Sequence, residues 1–219
     1  MNLIKLSVVC GLLGCCSTAL AASTVYYADQ KPLGTGFYLG AGVGYGQVDY
    51  GSKIKSSYDK FYAINSNDED DIAGRAYLGY QITPIIGIEA GYSLFADNTY
   101  KGQSSNGSIL SKSRLSTQTV DLLATVGTPL YFHGFGLTVK GGAAYVMSDY
   151  RHSGNGSDAG IAPADNTNNR FAAAAGASII YKLPDNAAVD LSYLHIFAPG
   201  NLDSPETDLV TLGLSYRFA

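Results

Sequence analysis

Ionisable residues interrupt otherwise apolar or glycine-rich stretches at a few separated places: Arg75, Glu89, Asp121 and Lys140, then Lys182, Asp190 and Arg217. Brought together, the first four would form a mixed-sign cluster, and the last three a second one. Such clusters serve either as an ion path or gate, or as a buried salt-bridge plug that fixes register. Other chemistry finds less support. His133, His152 and His195 are scattered, and isolated histidines do not make a metal site. The acidic run Asn67 to Asp71 lacks the glycine and spaced oxygen ligands of a calcium loop and reads as solvated loop. A hydrolase would need a nucleophilic serine beside a histidine and an acid. His195 is followed by Ile196-Phe197 and reads as a lipid-interface residue, while His152-Ser153 are neighbours in a loop. No catalytic residue, metal or cofactor is expected. The run from Gly40 to Gly46 begins like the dinucleotide fingerprint G-x-G-x-x-G, but Tyr45 stands where the third glycine belongs and no helix follows.

The elements that must position these residues have a period of two. Eight segments alternate: 35–48, 72–82, 85–95, 115–128, 136–148, 170–182, 187–196 and 207–218. Thr83-Pro84 and Leu183-Pro184-Asp185-Asn186 provide short turns, and 129–135 a short link. The other connections, 49–71, 96–114, 149–169 and 197–206, are long, rich in Ser, Asn, Gly and Asp, with similar tips SSNGS (104–108) and SGNGS (153–157). Several long loops argue against a compact soluble domain. They suit a transmembrane barrel, whose turns are short at one end and long at the other.

The faces decide between the two. The first segment sets Phe37, Leu39, Ala41, Val43 and Tyr45 against Tyr38, Gly40, Gly42, Gly44 and Gly46. The third sets Ile86, Ile88, Ala90, Tyr92 and Leu94 against Gly87, Glu89, Gly91 and Ser93, and the eighth sets Val210, Leu212, Leu214, Tyr216 and Phe218 against Thr211, Gly213, Ser215 and Arg217. Turning the charged face to lipid would cost about 2–4 kcal/mol for each midplane Arg or Lys, against a total domain stability of about 5–15 kcal/mol. Charges therefore point inward and the large apolar side chains meet lipid. In an eight-stranded barrel the interior only just holds side chains, so the glycines are read as clearance for Tyr38, Tyr77 and Arg75, and the plug is preferred over the ion path. Phe37, Tyr80, Tyr181, Tyr216 and Phe218 form one expected aromatic belt, and Tyr45, Tyr92, Tyr145 and Phe171 the other.

Composition agrees. The chain has 219 residues, 15% of them charged, with 26 glycines, 17 tyrosines and no tryptophan. Residues 1–21 read as a secretory signal: Lys5, an apolar run from Leu6 to Leu13, and Ala19-Leu20-Ala21 for cleavage. The run is too short to span a membrane as a helix. Cys10, Cys15 and Cys16 all lie within it, so no disulfide framework is expected in the mature chain; a lipoprotein cut before Cys15 is the competing reading. Residues 22–34 are assigned to a periplasmic N-terminal segment and 35–219 to the barrel. The formal net charge of −4 argues against a nucleic-acid partner.

The segments Gly74-Arg-Ala-Tyr-Leu-Gly-Tyr-Gln-Ile82, Gly87-Ile-Glu-Ala-Gly-Tyr92, Val120-Asp-Leu-Leu123, Lys140-Gly-Gly-Ala-Ala-Tyr145 and Leu212-Gly-Leu-Ser-Tyr-Arg-Phe218 resemble the eight-stranded outer-membrane barrels typified by the OmpA transmembrane domain and the opacity-type surface antigens. The resemblance implies an all-β, antiparallel up-and-down barrel in the bacterial outer membrane, with a structural and adhesion role through four extracellular loops. The alternative is a narrow porin or conduit for small or hydrophobic solutes. Implied partners are outer-membrane lipid and lipopolysaccharide, the assembly machinery, and host or cell-surface ligands. Tyr216 and Phe218 resemble the terminal insertase signal, with Ala219 after the aromatic where family members usually end on it. The peptidoglycan-binding domain that follows the barrel in OmpA is not expected here.

Overall fold

The computed structural model describes residues 35–49, 63–68, 72–96, 98–103, 109–128, 134–154, 166–197 and 206–218. The expected signal segment, its cysteines, the segment 22–34 and His133 lie outside these residues. The strands are β1 (Gly36–Asp49), β2 (Ala63–Asp68), β3 (Ile72–Gln81), β4 (Ile86–Phe95), β5 (Asn98–Gln103), β6 (Ile109–Gly127), β7 (Phe135–Gly154), β8 (Asn166–Lys182), β9 (Ala187–Ile196) and β10 (Glu206–Arg217). Eight close a ring in the order β6-β4-β3-β1-β10-β9-β8-β7, with β7 returning to β6. The first and last strands join the wall antiparallel from Tyr38↔Arg217 to Asp49↔Glu206. Every strand is thus paired on both sides within the wall, which the absence of water in a bilayer core demands.

The alternation seen in the sequence becomes the two faces of this wall. Val43 and Leu212 are 71% and 59% exposed on the outside, whereas Arg75, Glu89, Asp121 and Lys140 are 2–8% exposed and point in. The glycine clearance is literal. A Cβ on Gly40 would run into the Tyr77 ring, and one on Gly79 into the Tyr38 ring.

Turns at one end are short for local reasons. The β8–β9 turn holds Asp185 and Asn186 at φ of 60° and 63°, a left-handed geometry that these two short polar side chains tolerate and that matches strand twist. The β3–β4 turn is closed by Thr83, whose Oγ1 accepts the Ile86 amide at 2.9 Å.

At the opposite end the long connections differ from expectation. The stretches 49–71 and 96–114 contain β2 and β5, and β6, β7 and β8 run well past the expected boundaries. The pairing β2–β5–β6–β7–β8 carries one side of the wall beyond the barrel ring, from Asn67↔Tyr100 through Tyr100↔Ser113 to Ser113↔His152. His152 therefore sits in a strand and not in a loop. These extensions lack hydrophobic alternation in sequence, and backbone pairing alone gives no sequence signal of that kind. Of the acidic run, Asn67 and Asp68 belong to β2, and the rest lies outside the described residues.

Candidate functional site: the barrel lumen

Three tiers fill the lumen. The middle one is ionic. Arg75 on β3 faces Asp121 on β6 in a two-pronged pair, Nη1–Oδ2 2.6 Å and Nη2–Oδ1 2.7 Å. Its Nη2 also reaches Glu89 on β4 at 3.2 Å, and Nη1 donates to Ser93 Oγ at 3.2 Å. Lys140 on β7 completes the set with Nζ at 2.8 and 2.9 Å from the two Glu89 oxygens. Tyr38 on β1 donates to Glu89 at 3.0 Å. Two cations thus meet two carboxylates with nearly every acceptor used, the condition under which burying charge is tolerable. Gly91 lies opposite Asp121 in register, and a Cβ there would strike the Arg75 guanidinium. The pair forms because that glycine leaves the space.

Asp190, Arg217 and Lys182, expected as a second ionic cluster, line a common cavity, but Asp190 is held by hydroxyls. Tyr77 donates to both its oxygens at 2.7 and 3.0 Å, and Ser192 to one at 3.3 Å. Lys140 lies 5.2 Å from the Tyr77 ring centre and links the two networks; Arg217 sits over the Tyr38 ring at 5.5 Å. Tyr38 and Tyr77 were legible as bulky inward groups. That they are also donors required the register that sets each beside a carboxylate.

Toward the long-loop end the lumen packs large apolar side chains among buried hydroxyl residues such as Thr117, Thr119, Ser148 and Thr207. Phe95, Leu123, Val146, Leu194, Ile196 and Leu209 are buried together with Ala73, Ala144, Ala172 and Ala174. The expected lumen face is small, polar and ionised with inward tyrosines, and the large apolar side chains of this half depart from it. Enclosed by the wall and away from solvent, these side chains pack as a small core, with Gly46 giving room to Phe95. Toward the short-turn end lies a cavity of about 230 Å³, bounded among others by Tyr77, Lys140, Asp190, Lys182 and Arg217.

On the outer wall, His195 is 5% exposed although it points outward. Its Nδ1 lies 2.8 Å from Asp208 Oδ1 and its Nε2 3.3 Å from Glu206 Oε1, and Phe197 packs edge-on at 4.4 Å. Tyr193 donates to the same Asp208 oxygen at 2.6 Å. The lipid-interface reading of His195 thus gives way to a partnered polar cluster. Period two already places Tyr193 with His195, and Glu206 with Asp208; only the pairing Asp208↔His195 joins them. Members of the belts meet in tilted ring pairs, Phe37–Tyr80 and Phe135–Tyr181 at 4.7 Å and Tyr145–Phe171 at 4.9 Å. No group of three or more potential ligands could hold a metal among the described residues.

A family model described as the OmpA-like transmembrane domain matches residues 33–219. The chain belongs to that family. This OmpA-like barrel is 25% identical to an uncharacterized protein of Coxiella burnetii, over 91% of the chain and 92% of the relative. It is 25% identical to outer membrane protein A of Serratia marcescens over 87% of the chain and 52% of the relative; the chain thus spans about half the length of that protein. Among solved structures it is similar in fold to Ail, the attachment invasion locus protein of Yersinia pestis (TM-score 0.50, 15% identity, 85% and 100% of the two chains covered). OprG of Pseudomonas aeruginosa shares the fold as well (TM-score 0.52, 10% identity, 84% and 98% covered). The barrel resides in the bacterial outer membrane. By the rule for such barrels, short turns face the periplasm and long connections the outside.

Proposed function

We propose that this barrel is a surface-interaction and structural protein, with a sealed lumen and a binding surface raised above the membrane. The single observation that carries the reading is the uneven wall. β6 has 19 residues where β3 has 10, and at about 3.4 Å per residue the difference adds about 30 Å of strand. Together with β2, β5, β7 and β8 it builds a projecting sheet on one side only. A conduit has no use for such a sheet, and a contact surface does. Ail, similar in fold, has been solved in complex with the heparin analogue sucrose octasulfate, so a barrel of this fold can carry a ligand. Tyr100 in β5, and Tyr50, Tyr58, Phe61 and Tyr62, which lie outside the described residues, belong to the same stretches of sequence and are of the kind that anchors protein contacts. Within the lumen, the ion pairs of Arg75, Glu89, Asp121 and Lys140 serve as structure, and no catalytic role is assigned. Residues 1–21 act as export signal, and Tyr216 and Phe218 as the assembly signal.

The test is expression in a non-adherent host with and without the segments 104–108 and 155–160. Loss of binding to cells or matrix, with heat-modifiable gel migration retained, is the expected result. Adhesion that persists without the segments and without β2 and β5 sinks the reading.

A further inference from the structure

His195 is the next outward residue of β9 after Tyr193, which pairs with Val210 and through it lies level with Tyr45 of the upper aromatic belt. The ring is buried, and each of its nitrogens faces a different carboxylate: Nδ1 lies 2.8 Å from Asp208 Oδ1 and Nε2 3.3 Å from Glu206 Oε1. A neutral imidazole has one N–H and one bare nitrogen, while an ionised carboxylate only accepts. Only the imidazolium can donate to both acids at once. A neutral ring keeps one bond and turns a lone pair toward the other acid, and the shorter contact marks Nδ1 as the nitrogen that keeps its proton. Around the ring, β8 offers Ala175 in register, and β9 itself offers Tyr193, whose hydroxyl donates to Asp208, and the edge-on Phe197. Beyond β10, β1 brings Gln47 opposite Asp208 and Asp49 opposite Glu206. Acids thus share the outermost row of the β1–β10 pair, an arrangement that weakens strand pairing.

The geometry points to His195 as a proton-dependent staple at the extracellular rim: as an imidazolium it ties the end of β9 to the start of β10, and on losing its proton it gives up the bond to Glu206, at the row where β1 ends and β10 begins. Histidine is the side chain that ordinarily changes charge between about pH 5 and 8. The bond to Glu206 requires the charged ring, so it is present on the acid side and lost as pH rises through the titration of the ring; it fails again only where the carboxylates themselves take up protons. Charge-assisted bonds are stronger than neutral ones, so the two states differ in how firmly the strand ends are held. External acidity thereby tightens this part of the rim. The staple acts whether or not the projecting sheet binds a partner, so its failure and the failure of the adhesion reading are separate results.

The experiment uses the refolded full chain in uncharged detergent, titrated from about pH 5 to about pH 8 while the imidazole nitrogens are followed by nuclear magnetic resonance. His195 is expected to show a bonded N–H at each nitrogen at the acid end and a single Nδ1–H tautomer at the basic end. Over the same range, amide hydrogen exchange at Thr207 and Ile196, the pair next to the staple, is compared with that of His195→Gln at matched pH, which cancels the intrinsic pH dependence of exchange. The unmodified barrel should be protected about tenfold more than the variant at the acid end, with the difference shrinking toward the basic end, while Leu191 and Leu212, paired deeper in the wall, exchange alike in both. Glu206→Gln, whose amide can accept from the charged ring or donate to the neutral one, should flatten the response. A protection ratio that does not change with pH, or a ring that stays a single neutral tautomer throughout, overturns the staple. Retained heat-modifiable migration verifies folding of each variant. If His195→Gln does not fold, Glu206→Gln decides: an undiminished pH response in that variant overturns the proposal, and a flattened one supports it.

Discussion

Glu89 joins more of the lumen than any other carboxylate described: Arg75, Lys140 and Tyr38 all bond to it. Replacing it by Gln leaves two buried cations short of a negative partner. Glu89→Gln is therefore expected to destabilise the barrel by about 3–5 kcal/mol, measured by urea unfolding from lipid vesicles. The double variant Glu89→Gln with Lys140→Met should lose less than the two single losses added together, since the excess charge leaves along with its partner; additive losses would show that the two residues are not coupled. Clearance is tested at the same scale. Gly79→Val should cost about 1–3 kcal/mol by forcing the Tyr38 ring from its place, and a large part of that cost should return in a Tyr38→Ala background.

At the scale of the strand, alternation makes neighbours unequal. Leu212 faces lipid and Thr211, beside it in β10, is 4% exposed inside the lumen. Leu212→Arg is expected to cost about 2–4 kcal/mol if it sits near the bilayer midplane, and a spin label at position 212 should report acyl-chain contact while one at 211 does not. The strands also carry what the hydrophobic pattern did not reveal. β2, β5 and the outer parts of β6, β7 and β8 are held by backbone pairing where both faces are polar in sequence. Proteolysis of intact cells should cut within 50–62 or 155–165 and spare Ile72–Gln81 and Ile86–Phe95.

For the whole molecule, the stacking of tiers sets what passes. Breaking the ion pairs opens only the floor of the periplasmic vestibule, because Phe95, Leu194, Ile196 and Leu209 still close the extracellular half. In planar bilayers the Glu89→Gln/Lys140→Met barrel should show no large steady conductance. Adding Phe95→Ser and Leu194→Ser to it should produce one, since a lumen without an apolar constriction fills with water. A steady channel in the unmodified protein would instead favour the conduit reading.

Which residues meet lipid, that the charged ones turn inward and that eight strands make the wall were all legible from the chain, because the period of two and the cost of charge in hydrocarbon are local and one-dimensional. The partners inside were not. Whether Asp190 meets Arg217 or the Tyr77 hydroxyl, whether His195 faces lipid or lies between Asp208 and Glu206, and whether the upper lumen is ionic or apolar all depend on register and closure. A two-residue slip between strands would keep every side chain on its own face and still change each of these pairs, so only the folded wall could decide them.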